Sequence, residues 1–158
     1  SLVPNDVMGD LVVERLGRTD ARQGFVLDGF PRNLKQVEIL DGALGRLGMD
    51  LDSVILISAS EREVVHRLAG RRVCPNCGVV FHVDSRPPKS AGVCDKCGSA
   101  LVQRQDDREE VILERMEVYR EQTAPVVGAY ANRGLLREVS GAGDAEQVFA
   151  RVNTGLRS

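Results

Sequence analysis

The sequence predicts an α/β fold with a parallel sheet, interrupted by a small inserted subdomain. Short, continuous apolar runs, in GFVLDGFPR, SVILIS and GLLREVSG, alternate with longer segments of helical periodicity. Strands covered on both faces read as unbroken apolar runs, and parallel neighbours are joined by right-handed helical crossovers. Between about residues 72 and 106 that periodicity stops, and cysteines, glycines and an RPPK stretch replace it.

Taken in order, a first helix is expected over residues 6–16, with Val7, Met8, Leu11, Val12 and Leu16 on one face and Gly17 as its stop. Residues 25–28 then form a buried strand that ends in Asp28 and a Gly-Phe-Pro turn. Leu34, Val37, Leu40, Leu44 and Leu47 step at helical spacing to Gly48. After the SVILIS strand, Ser60 and Glu63 make a capping box that opens a helix with Val64, Val65 and Leu68 facing inward. Beyond the insertion, Asp107 with Glu110 starts another capped helix, which carries Ile112, Met116 and Tyr119 on one side. GLLREVSG supplies the third strand and residues 144–152 a closing helix.

With 158 residues, 42% of them hydrophobic, the chain has material for one core. A net charge of −2 and a pI near 5.7 give no general attraction to polyanions or anionic membranes, so an anion site must be local. Lys35, Lys89 and Lys96 are the only lysines among many arginines. That bias suits bidentate recognition of phosphate or carboxylate, and codon usage would produce it equally. No apolar run approaches the ~20 residues of a membrane helix, and the opening SLVPNDVMGD lacks a basic-then-apolar signal pattern. A cytoplasmic protein is expected, in a compartment where glutathione disfavours structural disulfides.

All four cysteines, Cys74, Cys77, Cys94 and Cys97, fall in the pattern C-x2-C-x16-C-x2-C. Each C-x2-C turn can present two sulfurs to one tetrahedral ion, so the spacing points to structural zinc; paired disulfides and idle thiols are the alternatives. Four protein ligands leave no position for a substrate water, and the ion replaces a core that so short a stretch could not build.

Such a ribbon could bind nucleic acid or act as a lid attached at two hinges. Against the first use, Arg86, Lys89 and His82 are offset by Asp84, and Phe81 is the only aromatic residue between the cysteine pairs. The arginines favour the lid. Arg67 and Arg71 share a helical stripe leading into the insertion, Arg104 lies just before the helix leading out, and Arg32 follows the turn after the first strand. Arg115, placed among inward-facing residues, needs an anion. Ion pairs with the abundant glutamates would explain any one of them. Together they suit phosphoryl transfer, in which charge spreads over equatorial oxygens. Asp28, at a strand's carboxyl end, stands where an acid can hold magnesium; a turn or cap role is the alternative.

The segments LDGFPR, GRRVCPNCG, RPPK, CDKCG, RQDD and TAPVV together resemble the adenylate kinase family, in its long-lid bacterial form with a zinc-holding lid. The resemblance covers essentially the whole chain. It implies a P-loop-type nucleoside monophosphate kinase core and reversible transfer of the terminal phosphoryl group of magnesium ATP to AMP, giving two ADP. By match to the family's motifs, Gly29, Phe30, Pro31, Arg32 and Gln36 would contact AMP, joined by Arg104 and Arg115. Ser1, Leu2 and Val3 align with the end of the AMP-binding segment. Arg67 and Arg71 would engage ATP phosphates, Val80 and Phe81 would cover the adenine, and Gly143 would contact it through backbone. Asp28 would hold magnesium through water, and Asp106 and Asp107 would anchor the lid.

The implied organisation is a partial core over 1–71, the lid over 72–106 and the remaining core over 107–158. The intact enzyme is expected to be monomeric, without nucleic-acid or membrane partners. One departure stands out: nothing here matches the family's opening strand and G-x-x-x-x-G-K-[ST] loop, about its first third. The 158 residues alone are therefore expected to be inactive, poorly stable and prone to self-association through exposed strand edges, and to be rescued by pairing with another chain. Two other readings are a non-catalytic zinc-ribbon binding module and a kinase for a different nucleoside monophosphate.

Overall fold

A computed structural model describes residues 4–157. The chain divides into two compact units, one of Ser1–Ile57 with Val118–Ser158 and one of Ser58–Glu117.

In the first unit, α1 (Asn5–Leu16) packs on α2 (Leu34–Leu47). Gly9 makes that approach possible: a Cβ there would stand 2.6 Å from Ile39 Cγ2. The Asn33 side chain caps α2 by accepting from Gln36 N at 2.9 Å, and Gly48 ends it in the left-handed region at φ 63°. Val12, Leu16, Phe30, Leu40 and Leu44 form the core between the two helices. A second cluster, Val37, Val126 and Tyr130, joins α2 to α5 (Ala124–Asn132).

β1 (Val54–Ser58) and β4 (Leu136–Ser140) make a two-stranded parallel sheet, tied at its margin by Val54 N donating to Leu135 O at 2.9 Å. α6 (Ala145–Arg157) follows, capped reciprocally by Asp144 and Gln147. Two expectations need correction here. Residues 24–27 carry no strand pairing, and Val26 is 93% exposed. A strand is defined by its ladder, and among the described residues no neighbour supplies one to this run. For the same reason β1 is only half-buried, with Ile57 53% exposed, instead of being covered on both faces.

The second unit begins with α3 (Glu61–Ala69), whose Ser60 hydroxyl accepts from Glu63 N as the capping-box pattern predicts. β2 (Arg71–Val73) pairs antiparallel with β3 (Val80–His82). α4 (Glu109–Val118) closes the unit, with Ile112 buried. Asp107 does not cap α4. It sits in a 3-10 turn, Gln105–Asp107, and its carboxylate is taken by Arg71. A π-helical turn, Tyr119–Thr123, separates α4 from α5, so one uninterrupted periodicity does not carry Tyr119, 44% exposed, onto the buried face. Among the described residues, no helix is long and apolar enough to cross a membrane.

Candidate active site and metal centre

The turn after residues 24–27 is the best-built part of the first unit's candidate site. Gly29 lies at φ 73°, a conformation that L side chains rarely adopt, and the Phe30–Pro31 peptide is cis. Phe30 enters the core beside Leu40 and Leu44, which pins the turn, while Asp28 and Arg32 remain exposed. The Arg32 guanidinium folds back, its Nε donating to Gly29 O at 2.7 Å, and Arg32 N donates to Gln36 Oε1 at 2.7 Å.

Gln36, only 7% exposed, is a polar group that burial would penalise without partners. Its Nε2 donates to Asn5 Oδ1 at 3.0 Å, which also accepts from Asn33 Nδ2 at 3.1 Å. Thr123 Oγ1 donates to Arg32 O at 2.9 Å. Asn5, Asn33 and Thr123 thus brace the turn, and sequence reading passed over all three. The Asn-x-x-Gln spacing before α2 could have revealed Asn33; Thr123 is too distant in sequence to give a signal. Gly143 lies in the same unit at φ 95°, just before α6.

The other candidate arginines, Arg67, Arg71, Arg104 and Arg115, belong to the second unit. Arg71 and Asp107 form a two-pronged pair, Arg71 Nε donating to Oδ2 at 2.8 Å and Nη2 to Oδ1. Asp107 is 0% exposed, and its bond to Arg71 raises the guanidinium's pKa above its already high value. Arg67 Nε donates to Glu63 Oε1 at 2.6 Å. Arg115 is half-exposed, at 51%, and its Nη1 donates to Asp106 O at 3.0 Å; it does not face inward as expected. At about 100° per residue Arg115 stands about 60° from Ile112, at the edge of the stripe, and its long side chain turns out to the Asp106 carbonyl. Arg104 is exposed. Val80 is exposed as well, but Phe81 is buried against Cys74 and Cys94. Ser1, Leu2 and Val3 lie outside the described residues.

The four cysteines come together. Cys74 Sγ lies 3.4 Å from Cys97 Sγ and Cys77 Sγ 3.6 Å from Cys94 Sγ, with all four sulfurs within 4.8 Å of one another. These separations are far too long for disulfides, and all four cysteines are free. A tetrahedral ion with Zn–S bonds of ~2.3 Å requires S···S distances of about 3.8 Å. The two C-x2-C turns have one construction. Cys74 N donates to Val79 O and Gly78 N to Cys74 O, both at 2.9 Å; Cys94 N donates to Ser99 O at 2.9 Å and Gly98 N to Cys94 O at 2.8 Å. Gly78 and Gly98 share φ 73°.

The thiols are unequal. Hydrogen bonding with Ser99, side chain first and then backbone, pulls Cys97 down to about 5. Cys77 receives a bond from the Val79 backbone that favours its thiolate, yet desolvation and its bonds with Cys74, Cys94 and Cys97 push it up to about 12. Four sulfurs this close ionise together only with a cation among them, and soft thiolates in a tetrahedral set fit zinc.

A family model described as adenylate kinase matches residues 1–135. The chain is 46% identical over all 158 residues to a protein named adenylate kinase from Citrifermentans bemidjiense, and 46% to one of the same name from Geobacter sp. strain M21. It spans 74% of each of those relatives, so the share outside the match is about a quarter, not a third. An adenylate kinase from Carboxydothermus hydrogenoformans is 46% identical over 156 residues, 99% of this chain and 73% of that protein. The braced DGFPR turn, the four-sulfur cluster and these matches agree: the chain belongs to the adenylate kinase family, whose members are phosphotransferases acting as nucleoside monophosphate kinases.

Proposed function

We propose that the chain supplies the AMP-binding turn and the zinc lid of an enzyme transferring the terminal phosphoryl group of magnesium ATP to AMP. The observation that carries this reading is the turn from Gly29 to Gln36. Gly29 takes a conformation that suits glycine, the exposed Arg32 folds back onto its carbonyl, and a buried glutamine holds the loop from behind. In the transfer, the bond from the γ-phosphorus to the β,γ-bridging oxygen breaks as an AMP phosphate oxygen bonds to that phosphorus, and the charge passes to the departing ADP. Gly29, Phe30, Pro31, Arg32, Gln36, Arg104 and Arg115 are assigned to AMP, and Arg67, Arg71, Val80, Phe81 and Gly143 to ATP.

Guanidiniums act here by positioning phosphate and by offsetting developing charge. Asp28, an exposed carboxylate with hard oxygen donors, would hold magnesium through water, and the ion would supply positive charge to offset the phosphates. Zinc on Cys74, Cys77, Cys94 and Cys97 shapes the lid, residues 72–106, and takes no part in the transfer.

These 158 residues contain no G-x-x-x-x-G-K-[ST] sequence. We therefore infer that the polypeptide by itself binds a bisubstrate adenosine analogue weakly and does not turn over. Formation of ADP from ATP and AMP by the isolated chain would overturn that inference. Failure to bind the analogue, together with salt-dependent binding to DNA or RNA, would replace the kinase reading with a zinc-ribbon binding module.

A further inference from the structure

We propose that His66, His82 and Asp84 form a second cation site, for a borderline divalent ion such as Ni2+, separate from the four thiols. The chain contains only two histidines, and the fold sets them side by side, ring centroids 5.1 Å apart and planes inclined by 46°. His66 projects from the last turn of α3, His82 ends β3, and Asp84 lies in the turn that follows. One donor atom from each falls within 4.8 Å of the others, and His66 Nε2 already lies 3.0 Å from Asp84 Oδ2.

The His82 ring is held through both of its nitrogens. Asp84 N and Ser85 N lie 3.1 and 3.2 Å from His82 Nδ1, and both can only donate, so the ring proton resides on Nε2. That Nε2–H donates to His66 O at 3.1 Å. A carbonyl holding one ring N–H is how metal-binding histidines are oriented, and Nδ1 becomes the metal donor once a cation displaces the two amides from it. Gly70 clears the space, because a methyl group at its Cα would overlap His82 Nε2, and Val83 N donates to Gly70 O at 3.0 Å. Two donors therefore sit at the end of β3 and in the turn after it, fastened to the end of α3, and the third is on α3 itself.

Two imidazoles and a carboxylate are a donor set for Ni2+, Cu2+ or Zn2+, with remaining positions open to water. A cation entering here replaces the His66–Asp84 contact and the two amide contacts on Nδ1. Both carboxylate and imidazole of the His66–Asp84 pair are more than half exposed, so water resolvates what is displaced. The thiol cluster, a soft tetrahedral set, selects differently and is filled first by zinc.

The test is to load the chain with one equivalent of zinc and titrate it with Ni2+ by calorimetry. One further equivalent is expected to bind, and His66→Asn and Asp84→Asn should each weaken it by about tenfold or more. Retained zinc content shows that the variants fold. In the unaltered chain, paramagnetic Ni2+ should broaden the ring resonances of both histidines before any others. No saturable Ni2+ binding, equal affinity in both variants, release of zinc on adding Ni2+, or broadening that spares the two rings would each overturn the proposal.

Discussion

Residues 71–102 close on themselves, whereas residues 24–27 run without a ladder partner among the described residues. In the first stretch, Val73 pairs with Val102, Val93 with Ala100 and β2 with β3, and the four sulfurs gather inside that frame. In the second, the apolar residues Phe25 and Leu27 reach the core of α1 and α2, but Val26 points away from it. Both stretches are conspicuous in sequence. A stretch with two metal knuckles carries all its partners within itself, while a strand's hydrogen bonds depend wholly on a neighbour supplied from elsewhere.

Three substitutions probe that contrast. Cys94→Ser should abolish tight zinc binding, a contribution on the order of 10 kcal/mol in small zinc domains. Amide-exchange protection across residues 71–102 should then disappear while α1 and α2 keep theirs. Equal loss in both would show that the units do not fold independently.

Arg71→Met should cost about 3–5 kcal/mol, because it leaves the fully buried Asp107 charge without its partner. Urea unfolding followed at second-unit resonances is the measurement, and a cost near zero would mean that water reaches Asp107. Val26→Thr is expected to change stability by no more than about 0.5 kcal/mol, as at other exposed positions. A thermal midpoint lowered beyond that would show residue 26 packed in a strand after all.

Local patterns were legible wherever local contacts decide. Gly48 ends α2, Ser60 caps α3, and the apolar runs at residues 54–58 and 136–140 pair as strands. Asp107 shows where such reading stops. Its spacing to Glu110 is that of a cap, but Arg71, far away in sequence, offers two charged hydrogen bonds and wins the carboxylate. The α4–α5 region fails differently, because one π turn resets the helical phase and a pattern counted from Ile112 misplaces Tyr119. In the candidate site, the motif residues Gly29, Arg32 and Gln36 could be read directly. Their supports Asn5 and Thr123 could not, since each meets the turn only through the folded chain.

The matching construction of the Cys74–Gly78 and Cys94–Gly98 turns makes the two halves of the four-thiol cluster alike in backbone. Their backbones obey one pattern, so CPNCG and CDKCG present their sulfurs in the same way, while Asp95 alone adds a bond to Lys89 N at 2.9 Å. The individuality of the lid then resides in residues 79–93 between them, which carry His82, Asp84, Arg86 and Lys89. That loop is free to diversify while the paired turns hold its two ends at a fixed separation.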